Sequence, residues 1–379
     1  MMIYLDYAAT TPMSVEALKT YTKAASQYFG NEQSLHDIGG TASSLLQVCR
    51  KTFADMIGGK EQGVFFTSGG SESNYLAIQS LLNAQNKKHI ITTPMEHASI
   101  RSYFQSLKSQ GYTITEIPVD KSGLIRLVDL ETAITENTAL ASIQHGNSEI
   151  GTVQNIAEIG TLLKKYNVLF HSDCVQTFGK LPIHVLEMGV DSLSVSAHKI
   201  YGPKGVGACY INPQVRWTQV FPETSHEKGF RPGTVNVPGI ASFLTAAENI
   251  LKNQQEESLR FKELRSYFLE QIQTLPLEIE VEGHSTSCLP HIIGVTIKGI
   301  EGQYTMLECN RRGIAISTGS ACQVGKQGPS KTMLAIGKTY EEAKQYVRFS
   351  FGQQTTKDQI DTTIHALHTI GNQFYRGVK

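Results

Sequence analysis

The sequence predicts an α/β protein with a mostly parallel main sheet, followed by a smaller C-terminal α+β unit. Between about residues 63 and 211, short runs rich in β-branched and aromatic residues alternate with segments whose apolar residues recur at helical spacing. Around 212–236 the alternation gives way to a segment rich in Pro, Gly and Thr, and about the last hundred residues mix strand-like and helix-like runs. Alternation of this kind favours parallel strands covered by helices on both faces.

The main sheet is expected to contain seven strands, at residues 63–67, 89–93, 112–119, 138–144, 168–173, 192–196 and 207–211. Apolar spacing predicts helices between them, for example over 71–85 and 155–166. Farther along, one long helical stretch is expected from about Pro238 to Leu275, together with strand-like runs at 277–283, 292–299 and 346–352.

The length of 379 residues suggests two domains at roughly 100–200 residues each. We expect a large α/β domain over 13–255 and a small α+β domain over 256–379, with residues 1–12 packing near the latter.

The composition excludes several classes of function. Lys plus Arg and Asp plus Glu are each 34, so the chain lacks the basic field that binding to nucleic acid or to an anionic membrane needs. No stretch approaches the ~20 apolar residues of a membrane helix, and the N-terminus lacks the pattern of a signal peptide. The six cysteines are scattered, which favours reduced thiols. We therefore expect a cytoplasmic protein with small-molecule or protein partners.

Four polar clusters follow predicted strands, where parallel sheets gather their ligands. The first, residues 67–74 with sequence TSGGSESN, places glycines and hydroxyls at the start of a predicted helix. Free N–H groups there would form an anion cradle that includes Gly70 and Ser71. The alternative is an ordinary helix start with Ser71 as the N-cap, and the cluster taken alone favours that alternative.

The second cluster contains Asp173, at the end of an apolar strand, and Gln176. A carboxylate there needs a cation or a donor to offset its desolvation. It is either a salt-bridged structural residue, which is the commoner case, or the counter-ion of a ligand nitrogen.

The third cluster is SAHK, in which Ser196 and His198 alternate along a strand end and Lys199 follows. The lysine is either solvated or a desolvated amine nucleophile. His97, after another predicted strand, is a further candidate, although a single histidine is more often structural. The other histidines, including His365 and His368, show no metal-ligand arrangement, so we expect no metal site.

The fourth cluster is residues 317–329, where Ser, Gly and Ala surround Cys322. Small polar neighbours are typical of an exposed, reactive thiol, and the alternative is a flexible loop with an incidental cysteine. Together, a phosphate cradle, an acid, an amine and a thiol indicate a covalent cofactor site with a thiol beside it, but their spacing does not identify the cofactor.

These motifs, taken in order, resemble those of the cysteine desulfurases. These are NifS/IscS-like enzymes of the class V aminotransferase group that use pyridoxal 5'-phosphate (PLP). The resemblance extends almost end to end, and its subgroup is the one with a long cysteine loop. It implies the type I fold of PLP-dependent transferases. The matching stretches are YLDYAATTP at 4–12, FTSGGSESN at 66–74, MEHAS at 95–99, NSEIGTVQ at 147–154, HSDCVQTFGK at 171–180, SAHKIYGPKG at 196–205, RPGTVNV at 231–237, STGSAC at 317–322 and VRFSFG at 347–352.

The resemblance also implies a role for each candidate residue. Lys199 would form the Schiff base with PLP, His97 would stack on the ring and assist proton transfer, and Cys322 would attack the substrate sulfur. The other cofactor contacts would be Gly70, Ser71, Ser196 and His198 at the phosphate, Thr234 from the neighbouring subunit of a homodimer, Asp173 at the pyridine nitrogen and Gln176 at the phenolic oxygen. Asn147 and Arg348 would bind the substrate carboxylate, Arg348 by a bidentate pair.

The activity implied is removal of sulfur from L-cysteine, which gives L-alanine and a persulfide on Cys322. The persulfide would serve an acceptor protein in iron–sulfur cluster, thio-cofactor or tRNA biosynthesis. Two alternatives stay open: a selenocysteine lyase or related aminotransferase, and a catalytically silent scaffold. Ser71 stands where the family usually has Thr, and Ser148 replaces the second Asn of a common pair. Cys174 is expected to be structural, and the unusual continuation over 323–328 bears on the acceptor.

Overall fold

The structure is a computed structural model that describes residues 2–319 and 328–377. Its strands are β1 (Ile3–Tyr4), β2 (Val64–Thr67), β3 (His89–Thr92), β4 (Thr113–Glu116), β5 (Thr138–Ser142), β6 (Leu169–Asp173), β7 (Ser192–Ser196), β8 (Gly207–Ile211), β9 (Ile279–Glu282), β10 (Ile292–Ile297), β11 (Ile314–Ala315) and β12 (Tyr346–Ser350). Its helices are α1 (Val15–Gln27), α2 (Asp37–Met56), α3 (Gly70–Asn83), α4 (Ala98–Lys108), α5 (Leu127–Ala133), α6 (Ile156–Lys165), α7 (Val185–Met188), α8 (Val237–Lys252), α9 (Gln254–Gln273), α10 (Gly302–Arg311), α11 (Lys331–Ala335), α12 (Tyr340–Lys344) and α13 (Lys357–Gly377).

The main sheet contains seven strands in the order β2-β8-β7-β6-β5-β3-β4. The neighbours from β7 to β4 pair in parallel, whereas β8 runs antiparallel to both β2 and β7. These strands are the seven runs predicted from the sequence, so the prediction of a mostly parallel sheet is confirmed. Because β2, β6 and β7 point the same way, Thr67, Asp173 and Ser196 end at one edge of the sheet.

Side chains of the main sheet enter apolar cores on both of its faces. Phe65 shares one core with Leu81 of α3. Its neighbour Phe66 shares another with Phe53 of α2 and Phe243 of α8. Successive residues of a strand point to opposite faces, and β2 is buried throughout because helices cover both.

The helical stretch expected from Pro238 to Leu275 is two helices rather than one. Asn253 lies between α8 and α9, and its side-chain amide donates to the carbonyl of Asn249 at 3.2 Å. Short amide side chains compete with the helical backbone for hydrogen bonds and therefore favour helix ends. The break lets α8 pack in the first core while Phe261 and Phe268 of α9 enter another.

That other core lies against a three-stranded antiparallel sheet with the order β12-β10-β9. A parallel pair of β1 and β11 adjoins it, and Leu5 is fully buried there. The sequence analysis missed β1 and β11 because two residues are too short to show a period. The domain boundary at 255 stays a prediction. In the described part of the chain, no helix is long and apolar enough to cross a bilayer.

Candidate active site

The start of α3 forms a cradle of backbone N–H groups at the shared edge of β2, β6 and β7. Gly69 occupies the N-cap position with φ 149° and ψ −179°, a conformation that favours glycine. The alternative of Ser71 as N-cap is therefore wrong, since the turn needs glycine at the cap and Ser71 lies exposed in the first turn. Among the described residues, no side chain caps this helix.

Ser196 faces the same cradle. A Cβ built on Gly69 would lie 3.7 Å from Ser196 Oγ, and one on Gly70 would lie 3.6 Å from Ser196 Cβ. Uncapped N–H groups at the positive end of a fourteen-residue helix, with a hydroxyl beside them, favour an anion. These donors fit the phosphate of PLP.

Asp173 is buried at the end of β6 and is held by two donors. Its Oδ1 accepts from the backbone N–H of Val175 at 2.9 Å, and its Oδ2 accepts from Asn74 Nδ2 at 2.8 Å. None of the ion pairs within the described ranges includes Asp173, so the salt-bridge alternative is not what the structure shows. The oriented carboxylate fits the protonated ring nitrogen of PLP.

Asn74 is a residue that the sequence analysis did not assign. Its Oδ1 lies 3.1 Å from His171 Nε2, and His171 Nδ1 lies 2.6 Å from Ser192 Oγ. Burial lowers the pKa of His171 to about 3, so the ring is neutral and orients Asn74 without adding charge. Asn74 and Asp173 lie 99 positions apart in the chain, so no local pattern of residues indicated their contact.

Lys199 lies in the short 3-10 turn after β7 and reaches the N-terminal segment. Its Nζ donates to the carbonyls of Ala8 and Ala9 at 2.6 and 2.8 Å. Gln176 Nε2 donates to the Ala8 carbonyl at 3.0 Å, and His198 Nδ1 lies 3.1 Å from the hydroxyl of Thr10. The YAATTP motif therefore surrounds the amine with backbone oxygens, a role that its side chains do not reveal.

His97 caps α4 and belongs to the same electrostatic environment. Burial lowers its pKa, the charges of Lys199 and Arg101 lower it further, and Asp173 acts in the opposite direction. Its Nδ1 accepts from the backbone N–H of Ser99 at 3.2 Å. A neutral ring bonded in this way carries its proton on Nε2.

His198 is also neutral near pH 7. Burial lowers its pKa to about 4, and Lys199, Lys204 and His97 add to the shift. His97 therefore interacts electrostatically with Asp173, Lys199 and His198, which places these groups around one histidine.

Arg348 and Asn147 are the two residues predicted to bind a substrate carboxylate. Arg348 Nη2 pairs with Asp6 Oδ1 at 2.6 Å, and its Nη1 donates to the Ser148 carbonyl at 2.8 Å. Its Nε is buried without a hydrogen-bond partner in the residues described here. Asn147 Oδ1 accepts from the backbone N–H groups of Glu149 and Ile150 at 2.8 and 2.9 Å. An oriented guanidinium with an unused donor fits a carboxylate ligand.

Two candidates are not tested by this geometry. Thr234 lies exposed in the segment before α8, and its role across a subunit interface stays a prediction. Cys322 lies outside the described residues.

Cys174 is fully buried and burial raises its pKa to about 12, which agrees with a structural role. Within residues 2–319 and 328–377, no cluster of three or more His, Cys, Asp or Glu could hold a metal ion.

The family model described as Aminotransferase class-V matches residues 3–363. The chain belongs to this family. It is 51% identical over 98% of its length, and 95% of the relative's, to a Bacillus subtilis protein described as a candidate NifS cysteine desulfurase. It is 38% identical to the cysteine desulfurase IscS of Dictyoglomus turgidum, over 97% of this chain and 94% of that protein. Enzymes of this group depend on PLP. Because the chain is similar to them over nearly its whole length, the protein is a PLP-dependent cysteine desulfurase.

Solved structures agree. The fold matches a NifS-like protein with a TM-score of 0.92 at 30% identity, covering 98% of this chain and 100% of that one. It also matches SspA in complex with cysteine with a TM-score of 0.81 at 32% identity, covering 92% and 98% of the two chains. The prediction of a PLP-dependent fold is confirmed.

Proposed function

We propose that this enzyme removes sulfur from L-cysteine, releases L-alanine and holds the sulfur as a persulfide on Cys322 for transfer to an acceptor protein. The observation that carries the proposal is the convergence at one edge of the sheet of the Lys199 amine, the donor-held carboxylate of Asp173 and the uncapped start of α3.

The candidate residues would together hold PLP. The cofactor acts, when bound, as an electron sink that stabilises negative charge at the substrate Cα. Its phosphate would be held by Gly70, Ser71, Ser196 and His198, with Thr234 of a second subunit, its ring nitrogen by Asp173, its phenolic oxygen by Gln176 and its ring face by His97. These assignments rest on the family resemblance, and the cradle and the oriented Asp173 support them.

Lys199 would supply the amine that bonds covalently to the cofactor. Its freed amine would move the Cα proton of the substrate, and the neutral ring of His97 would accept or pass on a proton. Arg348 and Asn147 bind the substrate carboxylate. Because Asp6 and the Ser148 carbonyl already orient the guanidinium, little conformational freedom is lost when the carboxylate binds.

Cys322 would perform the sulfur transfer. Its thiolate attacks the sulfur of the bound substrate, an S–S bond forms, and the substrate's C–S bond breaks with its electron pair going to carbon. That carbon takes up a proton, and the three-carbon remainder leaves as alanine. No oxidant is consumed, since the electrons that leave the transferred sulfur stay on the alanine carbon.

A homodimer and a cytoplasmic location complete the proposal. Phe29, Leu35 and Ile38 expose large apolar side chains near the start of α2, an arrangement typical of protein interfaces. The five described cysteines are free, as expected for a reducing compartment. The acceptor would be an iron–sulfur scaffold, a tRNA-thiolation enzyme or a dedicated client.

Two variants test the assignment. We expect Lys199→Ala to lose the covalent cofactor bond, seen as loss of the visible absorption, and to lose turnover while circular dichroism shows a retained fold. Cys322→Ala should keep the cofactor absorption but lose sulfide release from cysteine, and the persulfide on residue 322 should be absent by mass spectrometry. Full sulfide release by Cys322→Ala would overturn the proposal, and assay with selenocysteine tests the lyase alternative.

A further inference from the structure

Described residues on both sides of the stretch that contains Cys322 meet at one carboxylate, that of Glu149. On the C-terminal side, Ser330 Oγ donates to Glu149 Oε2 at 2.5 Å and Thr332 Oγ1 donates to Oε1 at 2.8 Å. On the N-terminal side, a Cβ built on Gly319 would lie 2.4 Å from both Glu149 Oε2 and Ser330 Cβ. The described residues that flank the stretch, Gly319 and Ser330, therefore lie side by side against this carboxylate.

The same residue adjoins the proposed substrate site. The backbone N–H of Glu149 donates to Asn147 Oδ1 at 2.8 Å, and its carbonyl accepts from the hydroxyl of Tyr346 at 2.7 Å. Tyr346 begins β12, the strand that carries Arg348. Arg348 in turn exchanges backbone hydrogen bonds with Ser317, at 2.8 and 3.2 Å. Glu149 thus connects the base of the cysteine stretch to both residues of the carboxylate site.

A carboxylate is a costly choice for an ordinary structural contact here. Burial raises the pKa of Glu149, and the hydroxyls of Ser330 and Thr332 and the charge of Arg348 act against that rise. Ser330 already caps α11 by accepting from the N–H of Met333 at 3.1 Å, so the helix does not need Glu149 for its cap.

We propose that Glu149 is a positioning residue that holds together the two ends of the stretch carrying Cys322 beside Asn147 and Arg348. The inference rests on the proposed role of Cys322. Cys322 follows Gly319 by three positions, and three residues of chain span at most about 11 Å. Anchoring Gly319 next to the carboxylate site therefore limits the distance between thiol and substrate and raises the thiol's effective concentration.

The decisive experiment compares two reactions of the holoenzyme. Persulfide formation on Cys322 from cysteine in a single turnover needs the thiol. Elimination from β-chloroalanine needs the cofactor, Lys199 and the carboxylate site but no thiol. We expect Glu149→Ala to slow persulfide formation by roughly ten- to a hundredfold, while PLP content and β-chloroalanine elimination stay near the wild-type values.

Glu149→Gln keeps the shape and can still bond both hydroxyls, one as acceptor and one as donor, so it should recover most of the persulfide rate. Thr332→Val removes one of the two hydrogen bonds to the Glu149 carboxylate and should slow persulfide formation to a smaller extent. This variant tests the inference if Glu149→Ala does not fold. Glu158→Gln changes an exposed glutamate of α6 and serves as the matched control.

The inference would be overturned if Glu149→Ala or Thr332→Val slowed both reactions to the same extent, or if neither variant slowed persulfide formation. Glu149 would then be a structural residue. Sulfide release that persists in Cys322→Ala would instead overturn the role of Cys322 itself, so the two failures are distinguishable.

Discussion

Replacing Glu227 with Gln should destabilise the protein strongly, although the residue lies in a loop. Glu227 has φ 49° in the short turn of His226–Gly229, and its buried carboxylate lies beside β2, the terminal strand of the main sheet. Its two oxygens accept from Arg50 Nη1 and Nη2, each at 2.9 Å, and Oε2 also accepts from the N–H of Phe66 at 2.8 Å. Arg50 and Glu227 are only 2% and 5% exposed.

The magnitude follows from that burial. Removing one charge of a buried pair costs about 3–5 kcal/mol, because the remaining ion stays desolvated without a partner. In Glu227→Gln the new amide oxygen still accepts one bond, and Arg50 Nη1 keeps its bond to the Val64 carbonyl at 2.6 Å. We therefore expect a loss near the lower limit, about 3 kcal/mol. That is a large part of the 5–15 kcal/mol that typically stabilises a domain.

Urea denaturation followed by circular dichroism measures the change. The double variant Arg50→Met/Glu227→Leu should lose less free energy of unfolding than Arg50→Met or Glu227→Leu alone, because no ion is left buried without a partner. As a control, Glu131→Gln breaks an exposed contact with Lys165 and should leave stability nearly unchanged. A free energy of unfolding for Glu227→Gln within about 0.5 kcal/mol of wild type would refute the reasoning.

Two further predictions concern the site, and a third concerns Lys180, whose Nζ donates to the carbonyl of Lys199 at 3.2 Å. In Gly70→Ala the new Cβ would lie 2.6 Å from Val175 Cγ2, so overpacking of about 1–3 kcal/mol should weaken PLP retention, measured as absorption left after dialysis. Asp6→Asn removes the charge that orients Arg348 and should raise KM for cysteine roughly tenfold in steady-state assays, with little effect on kcat. Burial lowers the pKa of Lys180 from its ordinary 10.5 to about 7 in the folded protein. Between these two pH values the lysine is protonated in the unfolded chain and neutral in the folded protein, so unfolding takes up a proton. Wild type should therefore gain stability relative to Lys180→Met as pH rises through that window, in urea titrations at several pH values, and a constant difference would contradict it.

Where prediction from the sequence succeeded, the signal was local. The seven strands of the main sheet each carry a short apolar run that ends in polar residues, and the relation between strand ends and ligand sites follows from the parallel order. The prediction failed where local signals competed. Asn253 ends α8 although the apolar pattern continues past it. At α3, the backbone conformation places Gly69 rather than Ser71 at the N-cap position.

By itself, the sequence determined the class of fold, the edge of the sheet where chemistry gathers and, through its ordered motifs, the family. Only the tertiary structure showed that Asn74 holds Asp173, that the carbonyls of Ala8 and Ala9 receive Lys199 and that Glu149 meets both flanks of the Cys322 stretch. These contacts join residues far apart in the chain, and several use backbone atoms that every residue type possesses. A side-chain pattern therefore carries no trace of them until the sheet has brought the partners together.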